Sequence, residues 1–145
     1  MIAHLRELLR RKRNPRHLDT GEWGEDCAAR MLKSKGYKLL GRRVRFGPRF
    51  ELDIVARQDD TLVFVEVKTR KNEDFGRPIA AVDRRKRHQL SKAALRYMER
   101  MRKLPPYIRF DVVEVLGTVG DPQPRIEHIE NAFTLDPIYR LPFRA

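Results

Sequence analysis

The sequence predicts an α/β domain, a mixed sheet flanked by helices, and three observations carry that prediction. Two β-rich runs, Phe50 to Ala56 and Leu62 to Lys68, are joined by a short polar connection, the pattern of an antiparallel hairpin. Two stretches of helical periodicity, 19–36 and 78–101, lie on either side of that hairpin. A further strand follows the second helix at Tyr107 to Leu116, and strand, long helix, strand is the order of a parallel crossover. One sheet must then hold both antiparallel and parallel neighbours.

A length of 145 residues with 41% hydrophobic content suits one domain with a real core. We expect that domain over 19–135, with a basic N-terminal arm at 1–18 and a C-terminal tail at 136–145. The arm sets Ile2, Leu5, Leu8 and Leu9 against Arg6 and the run Arg10 to Arg13, but Glu7 interrupts it and Asn14-Pro15 stops it. No apolar run is long enough to span a bilayer, and Cys27 is the single cysteine. The expectation is a cytoplasmic protein without membrane insertion, disulfide or zinc site.

Each element has a local reason. Asp19 can cap the first helix, with Glu22 three residues on to complete a capping box and Gly36 to end it. Trp23, Cys27, Ala28, Met31 and Leu32 form its apolar stripe, with Glu25 off that stripe. Tyr37 to Phe46 reads as a strand broken near Gly41, and Gly47-Pro48 turns the chain. Pro78 suits the first turn of the long helix, whose buried side is expected at Ile79, Val82, Leu90, Ala93, Ala94, Tyr97 and Met101. Pro105-Pro106 bars its continuation, and Ile126 to Ile129 offers a short closing strand.

The hairpin carries the chemistry. If it is symmetric about Asp59-Asp60, Asp53 lies opposite Glu66 and Glu51 opposite Lys68, all on one face, while Leu52, Ile54, Val63, Val65 and Val67 form the other, core face. Opposed carboxylates repel, and a divalent cation with hard oxygen ligands would compensate them. Lys68 could orient water or stabilise charge at a phosphate. Glu25 could add a carboxylate if its helix packs alongside. The residues alone leave a second reading open, a solvent-facing hairpin surface laced with ion pairs.

At these residues the chain resembles the YraN-like family of small endonuclease-like proteins, of the PD-(D/E)xK nuclease superfamily and similar to archaeal Holliday junction resolvases. The resemblance runs from Gly21 to Phe133. It rests on Gly21-x-x-Gly24-Glu25-x-x-Ala28-Ala29, Glu51-Leu52-Asp53-Ile54-Val55-Ala56 and Leu62 to Arg70 with its Glu66-Val67-Lys68. Phe75-Gly76, Arg109 to Val113 and Ile126 to Phe133 complete the series. It implies a restriction-endonuclease-like (resolvase or tRNA-endonuclease-like) three-layer core. Asp53, Glu66, Lys68 and Glu25 would be catalytic, with Mg²⁺ or Mn²⁺ held by Asp53, Glu66, Glu25 and the Val67 carbonyl. Two positions depart from the family pattern: Phe50 stands where Gly is favoured, and Arg43 where Asn is favoured.

The formal charge is +12, from 32 Lys and Arg against 20 Asp and Glu, and the pI is near 10.4. Such an excess seeks a polyanion. Arg43, Arg45, Arg70, Lys71, Arg84, Arg85, Lys86 and Arg87 are the expected nucleic-acid contacts, with Glu51 and Gln89 as further site candidates. Few aromatics are interleaved with this base, so duplex or branched DNA is expected rather than stacking on unpaired bases. His128 is expected to be a strand-surface or hydrogen-bonded structural histidine rather than a metal ligand. The expected function is metal-dependent hydrolysis of DNA phosphodiesters, without a small-molecule cofactor. The alternatives are a non-catalytic nucleic-acid-binding module on the same scaffold and a basic protein-interaction or membrane-surface factor using the arm. The resolvase analogy admits a homodimer.

Overall fold

The computed structural model describes residues 19–71 and 82–139. The N-terminal arm, Phe75-Gly76, Pro78, Ile79 and the last six residues of the tail lie outside them. Helix α1 (Thr20–Ser34) is followed by β1 (Lys38–Phe46), β2 (Phe50–Gln58) and β3 (Thr61–Arg70); α2 (Arg84–Glu99), β4 (Tyr107–Leu116) and β5 (Arg125–Phe133) complete the order. The strands form one five-stranded sheet in sequence order. Among the described strands only β3 and β4 run parallel, and α2 lies in the connection between them.

The sheet is covered on both faces, because adjacent strand residues enter different cores. Ile54, Ala56, Val63, Val65, Val113 and Val115 pack with Trp23, Cys27, Ala28 and Leu32 of α1. Val55, Leu62, Phe64 and Phe110 pack with Leu90, Ala93, Ala94 and Met98 of α2. Helix, sheet and helix thus make three layers, and the predicted mixed α/β architecture is the observed one.

Several local expectations change. Asp19 caps α1 through Gly21 N–H at 3.1 Å, one residue before the position a capping box would use. Gly36, at φ +89°, takes the left-handed conformation that lets the chain leave the helix. The second helix begins at Arg84, because the Asp83 carboxylate accepts from Lys86 N–H at 2.8 Å and fixes the start there. It is therefore shorter than the 78–101 expected. Met98 is buried, with Tyr97 and Met101 packed beside it. The closing strand is longer than expected, because β5 follows the edge of β4 from Arg125 to Phe133.

The hairpin register is the symmetric one: Ile54 pairs with Val65, Val55 with Phe64 and Gln58 with Thr61. The paired residues end at Ile54 and Val65, so the expected facing of Asp53 with Glu66 and of Glu51 with Lys68 is not part of the ladder. Leu52 packs in the α2-side core with Val55, whereas Ile54 and Ala56 pack under α1. Strict alternation would have put Leu52 with Ile54, so the alternation breaks at Asp53. Arg43, near this break on β1, has φ +49°, and the β1–β2 register slips between Leu39 and Gly41.

Candidate metal and phosphate site

Where the β2–β3 ladder ends, Asp53 accepts a hydrogen bond at 2.9 Å from the Val67 N–H. Glu25 reaches the same place from α1. Gly24 makes that approach possible: a Cβ there would stand 1.9 Å from the Thr69 hydroxyl oxygen, so α1 lies on β3 with no room for a side chain. Glu25 is thereby buried rather than off the buried stripe. One carboxylate oxygen each of Glu25, Glu51 and Asp53 falls within a 4.8 Å set.

Glu66 lies on the other side of Asp53, toward α2, and is 5% exposed. Its Oε1 is 3.5 Å from Lys68 Nζ and 3.4 Å from Lys86 Nζ. Its Oε2 is buried and has no hydrogen-bond partner among the described residues. Asp53 is the residue common to the two groups. Burial, and then the Glu66 and Glu25 charges, push its carboxyl up to about 7 against the opposing Val67 hydrogen bond.

This donor set fits a hard divalent cation. Carboxylates converge from two sides, one buried oxygen lacks a partner, and the central acid retains its proton far above the usual range. In a strand, one residue's N–H and C=O point to the same neighbour, so the Val67 carbonyl is directed toward β2 as its N–H is.

Several expected nucleic-acid contacts are occupied within the fold. Arg43 donates to Glu25 at 2.6 Å and Arg45 to Glu51 at 3.0 Å. The hydrogen bond to Glu25 is the leading cause that raises the Arg43 pKa further. Arg70 pairs with the buried Glu114 at 3.5 Å, and Arg87 reaches Thr134 at 3.5 Å. Lys86, expected to meet phosphate, instead turns to Glu66. Lys71, Arg84 and Arg85 are exposed. Gln89 is half-buried one turn after Lys86, on the same helix face.

A second buried acid has a different role. Asp111 is fully buried and accepts from Arg109 at 2.8 and 2.9 Å and from Asn131 N–H at 3.0 Å. His128 Nε2 lies 2.7 Å from it, and Lys35 Nζ lies 3.0 Å from His128 Nδ1. An ammonium only donates, so Nδ1 accepts and Nε2 carries the hydrogen to Asp111. Burial pushes the Asp111 carboxyl up, but His128, Arg109 and the Asn131 N–H outweigh it and hold it below the usual value. His128 is thus the structural histidine expected. The closed network was not foreseen, because it joins residues from α1's C-terminal end, β4 and β5.

A family model described as uncharacterised protein family UPF0102 matches residues 24–115. The chain belongs to this family, the YraN-like one. It is 48% identical to a UPF0102 protein of Syntrophomonas wolfei over 79% of this chain and 97% of that one. A UPF0102 protein of Geobacter metallireducens is 46% identical over 79% and 92% of the two chains. One of Geobacter sulfurreducens is 48% identical over 79% and 88%. The matched region contains Glu25, Asp53, Glu66, Lys68, all of α2 and α1 from Gly24 onward. Among the described residues, no helix is long and apolar enough to cross a membrane.

Proposed function

We propose that this UPF0102 protein is a metal-dependent endonuclease that hydrolyses DNA phosphodiester bonds on a restriction-endonuclease-like core. The observation that carries the reading is the placement of Asp53 between the Glu25 and Glu51 carboxylates and Glu66, whose buried oxygen lacks a partner. Asp53, Glu25, Glu66 and the Val67 carbonyl would hold Mg²⁺ or Mn²⁺, and Glu51 joins them as a candidate. Bound there, the cation would supply Lewis-acid stabilisation of the charge that develops on the phosphate.

The chain's own residues do the rest. The Val67 N–H fixes the Asp53 carboxylate, and the close contact at Gly24 fixes Glu25. Lys68 and Lys86 both approach Glu66 Oε1; Lys68 can orient the attacking water or stabilise phosphate charge, and Lys86 supplies a second positive charge from α2.

Purified protein with Mg²⁺ or Mn²⁺ is expected to cut branched or single-stranded DNA, and Asp53→Ala to abolish cutting while circular dichroism remains native. Equal cutting by Asp53→Ala would refute the assignment. A second reading, a non-catalytic nucleic-acid-binding protein on a nuclease scaffold, draws on the Arg43–Glu25 and Arg45–Glu51 ion pairs, which neutralise two of the acids without a cation. It predicts salt-sensitive DNA binding, no cleavage across a panel of metals, and no heat of Mn²⁺ binding.

A further inference from the structure

The tip of the β1–β2 hairpin and the C-terminal half of α2 enclose a cleft of about 460 Å³, lined by Phe46 to Phe50 and by Arg96 and Arg100. Phe46 and Phe50 are register partners across the hairpin, and both are only half-buried. The Arg100 guanidinium lies 4.7 Å from the centre of the Phe46 ring, and the Lys92 ammonium 5.0 Å from that of Phe50. Arg49, Arg96 and Arg100 are exposed, and no acid is among the described lining residues.

Phosphates on a duplex backbone require positive charge alone. Unpaired nucleotides also present flat base faces, which proteins receive on aromatic rings and guanidinium planes. This cleft combines both requirements, with two aromatic rings and three arginines among its lining residues. Phe50 is also three residues from Asp53 along β2, roughly 10 Å at about 3.3 Å per residue. A strand seated here would lead directly to the acidic centre.

We propose that this cleft binds unpaired nucleotides, with a base against Phe46 and the adjoining phosphates on Arg49, Arg96 and Arg100. The inference rests on the nucleic-acid reading above and narrows its substrate to DNA with a single-stranded stretch beside the bond to be cut. The Phe50 side chain is one of the half-buried residues that line the cleft.

The test is fluorescence anisotropy in EDTA with a labelled short oligothymidylate and a labelled duplex of equal length, titrated at several salt concentrations. Phe46→Leu, which retains apolar bulk, is expected to weaken oligothymidylate binding by roughly 5- to 150-fold, the range found for loss of one base stack. Its affinity for duplex should be unchanged. The double variant Arg96→Ala with Arg100→Ala alters only exposed side chains and should lower the slope of log affinity against log salt for the single strand by roughly 1.4. Unchanged single-strand binding by Phe46→Leu, or equal loss on both probes, would overturn the proposal while leaving the nuclease reading standing. If the wild-type protein binds neither probe, the nucleic-acid reading itself falls, and the cleft proposal with it.

Discussion

Replacing Asp53 with Asn removes a charge that the fold accommodates poorly when no cation is present. In an unfolded chain this carboxyl releases its proton near 3.8, whereas in the folded protein burial and the Glu66 charge hold the proton to about 7. Between those values the folded state carries more protons than the unfolded state. This group's contribution to stability is therefore complete below about pH 4 and is lost as the pH rises through about 7. A displacement of about three units, at 1.36 kcal/mol each, puts the ceiling near 4 kcal/mol at about pH 8. Asn retains an oxygen for the Val67 N–H and carries no charge, so Asp53→Asn should stabilise the metal-free protein by about 2–4 kcal/mol at about pH 8.

Urea unfolding in EDTA at about pH 4 and about pH 8 measures the effect as the difference between variant and wild type, which cancels the titrating groups that do not interact with Asp53. That difference should be small at the lower pH and full at the higher. Addition of Mg²⁺ at the higher pH should reverse the order. A cation that binds only the folded wild-type protein contributes about 4.1 kcal/mol at a thousandfold excess over Kd, and the variant has lost the central ligand. A variant that is less stable than wild type at about pH 8, or a difference independent of pH, would refute the reasoning.

Gly24→Ala places a methyl group 1.9 Å from the Thr69 hydroxyl oxygen, so α1 must move off β3; the expected loss is about 1–3 kcal/mol, read by thermal melting and partly recovered when Thr69→Ala is added. Arg43→Asn relieves a residue at φ +49° and removes the guanidinium that occupies Glu25. Mn²⁺ affinity by calorimetry should then rise by roughly tenfold, equivalent to about 1.4 kcal/mol, and an unchanged or lower affinity would count against Glu25 as a ligand. Asp111→Asn breaks a buried charged network and should destabilise by about 3–5 kcal/mol in guanidinium denaturation. The Asp111 contribution in wild type is present above about pH 4 and is lost as the pH falls through its lowered folded value.

The hairpin was legible in the sequence because period-two patterning and a two-residue turn centre fix a register, and the observed pairs from Ile54–Val65 to Gln58–Thr61 obey it. Asp53, where that pattern fails, was legible as a chemical candidate but not as the point where Leu52 crosses to the α2-side core. The cause lies partly on another strand, in the left-handed Arg43 and the slip near Gly41, which no local period of β2 records. Glu25 reads as an off-stripe acid on a helical wheel. Its burial depends on how close Gly24 lets α1 come to Thr69, a tertiary distance. Lys86 presents the same difficulty in reverse: within a run of bases it resembles a phosphate contact, and only the docking of α2 brings it to Glu66.

The surplus of positive charge acquires a direction from these pairings. Near the acidic centre the cations are engaged in place: Arg43 with Glu25, Arg45 with Glu51, Lys68 and Lys86 with Glu66, and Arg70 with Glu114. Exposed arginines at positions 49, 84, 85, 96 and 100 lie along α2 and at the neighbouring hairpin tip. A polyanion arriving on the α2 side would meet these exposed charges rather than the engaged ones, because charges already paired at close range contribute little to the field beyond a Debye length of about 8–10 Å. The bound strand would then pass the Phe46–Arg100 cleft before reaching Asp53. The same net charge spread evenly over the surface would attract DNA equally well but would supply no such path to the carboxylates.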